Sequence, residues 1–106
     1  MPIIRRGDLP ERAIGETFSG ARGQVIQGEH IQVSLLHFRA HEGAKPHHHP
    51  EEQVSVIIKG RLRVTIEGVT EDLGPGDAFH APAWAVHSAD PLEETEVLAC
   101  KSVLDG

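Results

Sequence analysis

Residues 53–67 read QVSVIIKGRLRVTIE and decide the fold class of this chain. The second half of the stretch alternates apolar and polar residues, which places Leu62, Val64 and Ile66 on one face of a β-strand. The first half is rich in β-branched residues that favour strands, and Gly60 supplies the backbone freedom of a tight turn. We therefore predict two strands joined as a hairpin at Gly60.

Shorter strand patterns continue on both sides of this stretch. Residues 32–35, 78–81 and 97–103 have strand character, and apolar residues nowhere recur at helical spacing for more than about two turns. Strands that recur roughly every ten residues are typical of an all-β sandwich or barrel. The acidic run at residues 93–96 is predicted to be a solvated loop.

The length of 106 residues fits a single domain, whose folded state buries roughly two-thirds of the chain surface. Residues 1–22 contain several Gly and Pro and show little periodicity, so we predict an N-terminal arm there. Residues 23–106 are then the β-barrel domain.

Charge and cysteine content narrow the classes of partner. The chain has 16 acidic and 10 basic residues, a net charge of −6, and this surface repels phosphate backbones and anionic lipid. We therefore expect neither nucleic acid nor a membrane as partner. A lone cysteine, Cys100, and an N-terminus without an apolar signal-peptide core predict a cytoplasmic protein.

Eight histidines are the strongest compositional anomaly, and three of them are consecutive at His47-His48-His49. In an extended segment side chains alternate, so His47 and His49 project to one face while His48 projects to the other. Gln53 has the same parity, although Pro50 makes a local bend. Imidazole nitrogens suit divalent transition metals, and an amide oxygen can serve as a further donor. By itself, however, such a tract is more often surface decoration than a functional site.

The spacing around the tract resembles the first motif of the cupin superfamily. His47-x-His49 is followed after three residues by Gln53, and after six more by Gly60. The second cupin motif has its counterpart in a later set: Gly76, Pro82 and His87. The resemblance covers residues 38–103. The sequence departs from the family pattern at four positions, with His41 and Trp84 in place of glycines, Pro91 in place of an asparagine, and Gln53 in place of the acidic ligand.

This resemblance implies a small, single-domain bacterial cupin of the RmlC-like type, an antiparallel β-barrel with jelly-roll topology. It also implies one divalent transition metal (Zn, Ni, Mn, Fe or Cu), held by His47, His49, Gln53 and His87. The variant with Gln53 as ligand resembles the cupins that open uronate rings in pectin degradation. Glu52 is the rival ligand, but adjacent residues of a strand face opposite sides, which favours Gln53.

Three imidazoles and an amide are all neutral, so a bound cation would keep its full charge. Such a shell favours Lewis-acid chemistry over O₂ activation, in which a carboxylate stabilises the oxidised metal. No catalytic residue is assigned. The candidates are His80, Trp84 and Cys100, whose plainer interpretations are a surface histidine, a loop aromatic and a small hydrophobe.

The leading functional hypothesis is a Lewis-acid enzyme that isomerises, ring-opens or hydrates a small enol, keto acid or uronate. Uronate-opening cupins carry an acid on the last strand, whereas residues 97–100 here read VLAC. The alternatives are a non-catalytic metal- or metabolite-binding module and a small cupin dioxygenase; the skeleton also resembles polyketide cyclases. A structural barrel with vestigial histidines ranks last. The resemblance further implies a homodimer, paired through a strand edge.

Overall fold

The structure is a computed structural model that describes residues 3–14 and 22–103. A short 3₁₀ turn, Arg6–Asp8, precedes ten strands in these residues. The strands are β1 Arg12–Ala13, β2 Arg22–Gln27, β3 Ile31–Phe38, β4 Ala44–His47, β5 Gln53–Lys59, β6 Leu62–Ile66, β7 Val69–Leu73, β8 Ala78–Ala81, β9 His87–Pro91 and β10 Thr95–Ser102. In the described part of the chain, no helix is long and apolar enough to cross a membrane.

The strands form two antiparallel sheets. The larger has the order β1-β2-β3-β10-β5-β8 and the smaller the order β4-β9-β6-β7. Their inner faces enclose one apolar core, made of Leu36, Phe38, Ile57, Leu62, Val64, Val97 and Ala99. The predicted all-β antiparallel barrel is therefore confirmed.

Alternation along β6 fixes which of its residues enter this core. Leu62 and Val64 are buried, Arg63 between them is exposed, and Ile66 packs against the core from its edge. The face predicted from the sequence is the one that is buried.

The predicted hairpin at Gly60 is wrong. β5 pairs with β10 and β8, whereas β6 pairs with β7 and β9, so the chain crosses from one sheet to the other between them. Gly60 has a φ of 90°, and a Cβ there would come within 2.6 Å of the Thr95 hydroxyl. The glycine therefore allows a tight crossing beside β10, because a side chain would collide with that strand.

A two-residue hairpin does occur one strand later, between β6 and β7. Its turn residues, Glu67 and Gly68, have φ values of 47° and 83°. Positive φ at both central positions is the type I′ geometry, which matches the twist of paired strands.

Other predicted elements agree with the structure in part. The strand at residues 78–81 is confirmed as β8. The last strand begins at Thr95, which is fully buried, so the predicted loop at residues 93–96 is wrong in its second half. The 1–22 and 23–106 division stays a prediction: β1 of the described part of the arm pairs with β2, and residues 15–21 lie outside the description.

Candidate metal centre

Two strands of the smaller sheet bring distant histidines together. β4 ends at His47 and β9 begins at His87, and these two residues are directly opposite each other in the β4–β9 ladder. The ladder is irregular between Ala44 and His47, which is consistent with Pro46, a residue that cannot donate a ladder hydrogen bond. His49 follows two residues after His47, in the bend that leads to β5.

The three imidazoles converge on one point. One ring nitrogen from each of His47, His49 and His87 lies within 4.8 Å of the others. The ring centroid of His87 is 4.2 Å from that of His47 and 4.9 Å from that of His49. His48 points away, and its ring lies 5.8 Å from that of Trp84. The side chains of the tract therefore alternate as predicted for an extended segment.

Backbone carbonyls orient all three rings in the same way. Nδ1 of His47 donates to the Lys45 carbonyl at 2.6 Å, and Nδ1 of His87 donates to the Ala85 carbonyl at 2.9 Å. Nδ1 of His49 donates to the Glu51 carbonyl, also at 2.9 Å. Because a carbonyl can only accept, each Nδ1 carries a proton, and in the neutral ring Nε2 is then the nitrogen that keeps its lone pair. Histidines that bind a metal through one ring nitrogen are commonly held in this way, with the other ring nitrogen donating a hydrogen bond to a carbonyl or carboxylate.

The Nε2 atoms provide a test of whether a cation fits. Those of His49 and His87 are fully buried and have no hydrogen-bond partner among the described residues. Buried polar atoms in folded proteins almost always have a partner, so two orphaned acceptors aimed at one point indicate an absent donor or cation. Three imidazole nitrogens at this separation suit a divalent transition metal. The residues therefore fit the implied ion.

Gln53 begins β5 beside this cluster and is 7% exposed. It lines, together with His47 and His87, a small cavity of about 20 Å³ that we call the inner cavity. The amide nitrogen of Gln53 donates to the Ser55 hydroxyl at 2.9 Å. That bond fixes the amide while leaving its oxygen, the atom that a cation would use.

The family described as Cupin domain matches residues 34–99, more than half of the chain. This chain is a cupin. The RmlC-like cupin of Shewanella frigidimarina, a solved structure, superposes on it with a TM-score of 0.85 at 22% identity, covering 93% of this chain and 87% of that one. The predicted small, RmlC-like bacterial cupin is confirmed.

Two known relatives have about the same similarity to this cupin. The pectin degradation protein KdgF of Dickeya dadantii (strain 3937) is 28% identical over 93 residues, which are 86% of this chain and 82% of that protein. The H2HPP isomerase of Bacillus subtilis is 29% identical over 83 residues, which are 77% of this chain. The match spans only 33% of the isomerase, so the cupin corresponds to about a third of that protein.

Burial sets the protonation state of two of the cupin's cluster histidines. It lowers the pKa of both His47 and His87 below the ordinary 6.5. The backbone hydrogen bonds oppose this effect, whereas the neighbouring imidazoles and Lys101 add to it. Both rings are therefore held neutral at physiological pH, which is the form that binds a metal.

Glu52 and His80 lie on the outer side of the larger sheet. Nε2 of the exposed His80 is 2.7 Å from a carboxylate oxygen of Glu52. This placement agrees with the prediction that Glu52 faces away from Gln53. The structure also places His80 as a surface histidine, outside both the cluster and the inner cavity.

Trp84 and Cys100, the other two candidates, lie at different parts of the cupin. Trp84 is 62% exposed, and its backbone N–H donates to the His49 carbonyl at 2.8 Å. It is thus at the rim, beside the histidine tract. Cys100 alternates with the core residues Val97 and Ala99 on β10, so it lies on the outer face of the sheet and does not line the inner cavity.

Two departures from the cupin motifs keep the backbone conformation that glycine favours. His41 has a φ of 62° and Trp84 a φ of 67°. Both positions are glycine in the family pattern, and positive φ is easy only for glycine. Both residues therefore hold a backbone conformation that glycine would adopt without strain.

Two residues beside the cluster, Lys101 and Ser55, were not predicted from the sequence. Ser55 is fully buried and holds Gln53, while Lys101 lies directly opposite Gln53 on β10. Residues 97–100 are all apolar, so the sequence does not mark which face of β10 is inward and gave no local signal for Lys101.

Proposed function

We propose that this cupin is an enzyme that binds one divalent transition metal and isomerises, ring-opens or hydrates a small enol, keto acid or uronate. The proposed metal ligands are His47, His49, Gln53 and His87. The observation that carries the proposal is the pair of buried, unpartnered Nε2 atoms on His49 and His87 within a three-histidine cluster. The metal would be Zn, Ni, Mn, Fe or Cu, of which Zn, Ni, Fe and Cu are best suited to imidazole ligands.

The chain's own residues prepare the site in three ways. The Nδ1–H bonds to carbonyls hold the rings in the tautomer that binds a cation. The apolar walls of the inner cavity exclude water, through Leu36, Phe38, Leu62, Phe79 and Val97. The neutral ligand set leaves the charge of the cation undiminished. When bound, the cation supplies Lewis acidity, which stabilises negative charge that develops on a substrate oxygen.

The names of the two relatives support this reaction class. One is an isomerase and the other a pectin degradation protein, and pectin is a source of uronates. A small cupin dioxygenase is a weaker alternative, because the proposed ligands include no carboxylate to stabilise an oxidised metal.

A second candidate function is a binding module that holds a metabolite without converting it. Among the described residues, neither Asp nor Glu lines the inner cavity or a second cavity of about 380 Å³ that shares Leu36 and Gln53 with it, and the chain contains no Tyr. An enzyme of the first kind must then move protons by another group, such as a bound water. This lack of an acid favours the binding module as the alternative.

The decisive experiment combines elemental analysis with a turnover assay. Untagged protein should purify with about one transition metal per chain, and His47→Ala and His87→Ala should lose it. His48→Ala is the matched control, since it changes the same tract but not the cluster. Metal retained in both cluster variants would show that the centre lies elsewhere.

Turnover then separates the two candidate functions. An unsaturated uronate should be consumed by the metal-loaded wild type, and a chelator should stop the reaction until metal is restored. Metal-dependent binding of the uronate, measured by calorimetry, without consumption would instead establish the binding module.

We also propose, from the family resemblance, a cytoplasmic homodimer. The outer face of β5 leaves Val54 43% exposed and Ile58 50% exposed, apolar area that a second copy would cover. This surface lies on the sheet face, whereas the sequence prediction used a strand edge. Sedimentation of wild type and Ile58→Lys tests it: a dimer that the substitution dissociates supports pairing through the face, and a monomeric wild type excludes it.

A further inference from the structure

The inner face of the larger sheet changes character in three successive rungs across β3, β10 and β5. The first rung, Leu36–Val97–Ile57, is wholly apolar. The next is Ser34–Ala99–Ser55, and the last is Gln32–Lys101–Gln53. The barrel interior thus becomes polar toward one end, and the central residue of the polar rung is the positively charged Lys101.

Lys101 lies next to the proposed metal ligand Gln53. The two residues are directly opposite each other in the β10–β5 ladder and project to the same face. Opposite residues of antiparallel strands have Cβ atoms about 4.5–5.5 Å apart. His47 and His87 line the inner cavity together with Gln53, so this rung of the sheet lies beside the histidine cluster.

A second cavity, of about 380 Å³, adjoins the inner cavity through Leu36 and Gln53, which line both. We call it the side cavity. Its polar lining comes from Lys101, Arg12, Gln32 and Ser34, in addition to Gln53. The two cationic groups and the absence of a described carboxylate give this cavity a positive field, although the chain as a whole is acidic.

Lys101 has no carboxylate within ion-pair distance anywhere in residues 3–14 and 22–103. Lys101 is a half-buried residue whose charge has no counter-charge among these residues. An anion in the side cavity would supply the missing charge. The cavity has the volume of a small-molecule site, which makes a small organic anion a suitable ligand.

We propose that Lys101 is a substrate-binding residue that recognises a carboxylate, while the oxygen functions of the same molecule face the histidine cluster. The inference rests on the proposed function and deepens it, because it restricts the substrates to those bearing a carboxylate beside an enol, carbonyl or hydroxyl group. Arg12 lines the same cavity and adds its positive charge from β1, at the edge of the sheet.

Calorimetric binding to the metal-loaded protein tests this inference. The probes are D-galacturonate and pyruvate, with D-galactose as the uncharged counterpart of the uronate and inorganic phosphate as a second kind of anion. We expect at least one carboxylate to bind wild type and to bind Lys101→Met about tenfold or more weakly, since a hydrogen bond to a charged group is lost. D-Galactose should bind both proteins equally weakly.

Two further variants complete the test. Lys101→Arg should recover much of the carboxylate affinity, and Lys59→Met, which removes an exposed lysine from β5, should leave it unchanged. The inference is overturned if neither carboxylate binds wild type, if Lys101→Met binds them as tightly, or if phosphate is the only anion whose affinity depends on Lys101.

Elemental analysis of the same samples separates the two hypotheses. In one outcome, metal is bound in both wild type and Lys101→Met while the carboxylate affinity is the same in the two proteins. This result refutes the substrate-binding role of Lys101 and leaves the proposed function intact. Wild type that never acquires metal refutes the proposed function, and carboxylate binding that still depends on Lys101 would then support an anion site of its own.

Discussion

Replacing His87 by alanine should remove most of the stabilisation that a divalent cation gives this protein. His87 is 5% exposed and lies opposite His47, so it supplies one of three converging nitrogens. A cation at 100 times its dissociation constant adds about 2.7 kcal/mol to the free energy of unfolding. For a domain of 106 residues this corresponds to a rise in Tm of about 12 °C.

The expected loss in the variant follows from the ligand count. Mutating groups that merely orient metal ligands costs about 10–100-fold in affinity, so losing a ligand should cost at least about 100-fold. At the same cation concentration the gain then falls to about 0.4 kcal/mol, or about 2 °C in Tm.

Differential scanning calorimetry with and without Zn²⁺ or Ni²⁺ measures both shifts. The quantity to compare is the shift in each protein, because removing a buried ring also lowers the Tm of the metal-free variant. His48→Ala should keep the full shift, since His48 is exposed and lies outside the cluster. A His87→Ala protein that gains as much as wild type would refute the proposed centre.

Three more predictions follow from the same structure. The folded pKa values of His47 and His87 lie below 6.5, so the unfolded chain takes up protons first as the pH falls. The metal-free protein should therefore lose stability below about pH 6.5. Urea titrations should show a smaller loss in the double variant His47→Ala/His87→Ala. Gln53→Glu should bind divalent cations more tightly and alter metal preference, because a carboxylate cancels one unit of charge; competition with a chelator measures this, and an unchanged preference would contradict the role of the neutral ligand set. Gly43→Ala would force a Cβ into the backbone of β9, so urea unfolding should show a loss of about 3 kcal/mol, whereas Gly7→Ala, which meets nothing within 4 Å, should have little effect.

Sequence pattern predicted the features of this fold that depend on parity. Alternation placed Leu62 and Val64 in the core, and it separated His48 from its two neighbours. Both results follow from the two-residue period of a strand, a local property that survives whatever the strand pairs with.

Which strands pair with each other could not be predicted from the local sequence pattern. A turn at Gly60 is compatible with a hairpin or with a crossing between sheets, and only contact with β10 decides between them. For the same reason the juxtaposition of His47 and His87 could be expected from the family resemblance but not from spacing. Lys101 was overlooked because the inward direction of β10 depends on the register with its neighbours.

The position of β4 has a consequence for how the protein frays. β4 is an edge strand of the smaller sheet, where its one ladder partner among the described strands is β9, and the ladder is irregular just before His47. A cation shared between His47 and His87 would cross-link β4 to β9 at the last residue pair of their ladder. Backbone amides of β4 should then exchange with deuterium more slowly when the cation is bound. Chelation of the cation should leave an open strand edge on which copies of the chain can aggregate.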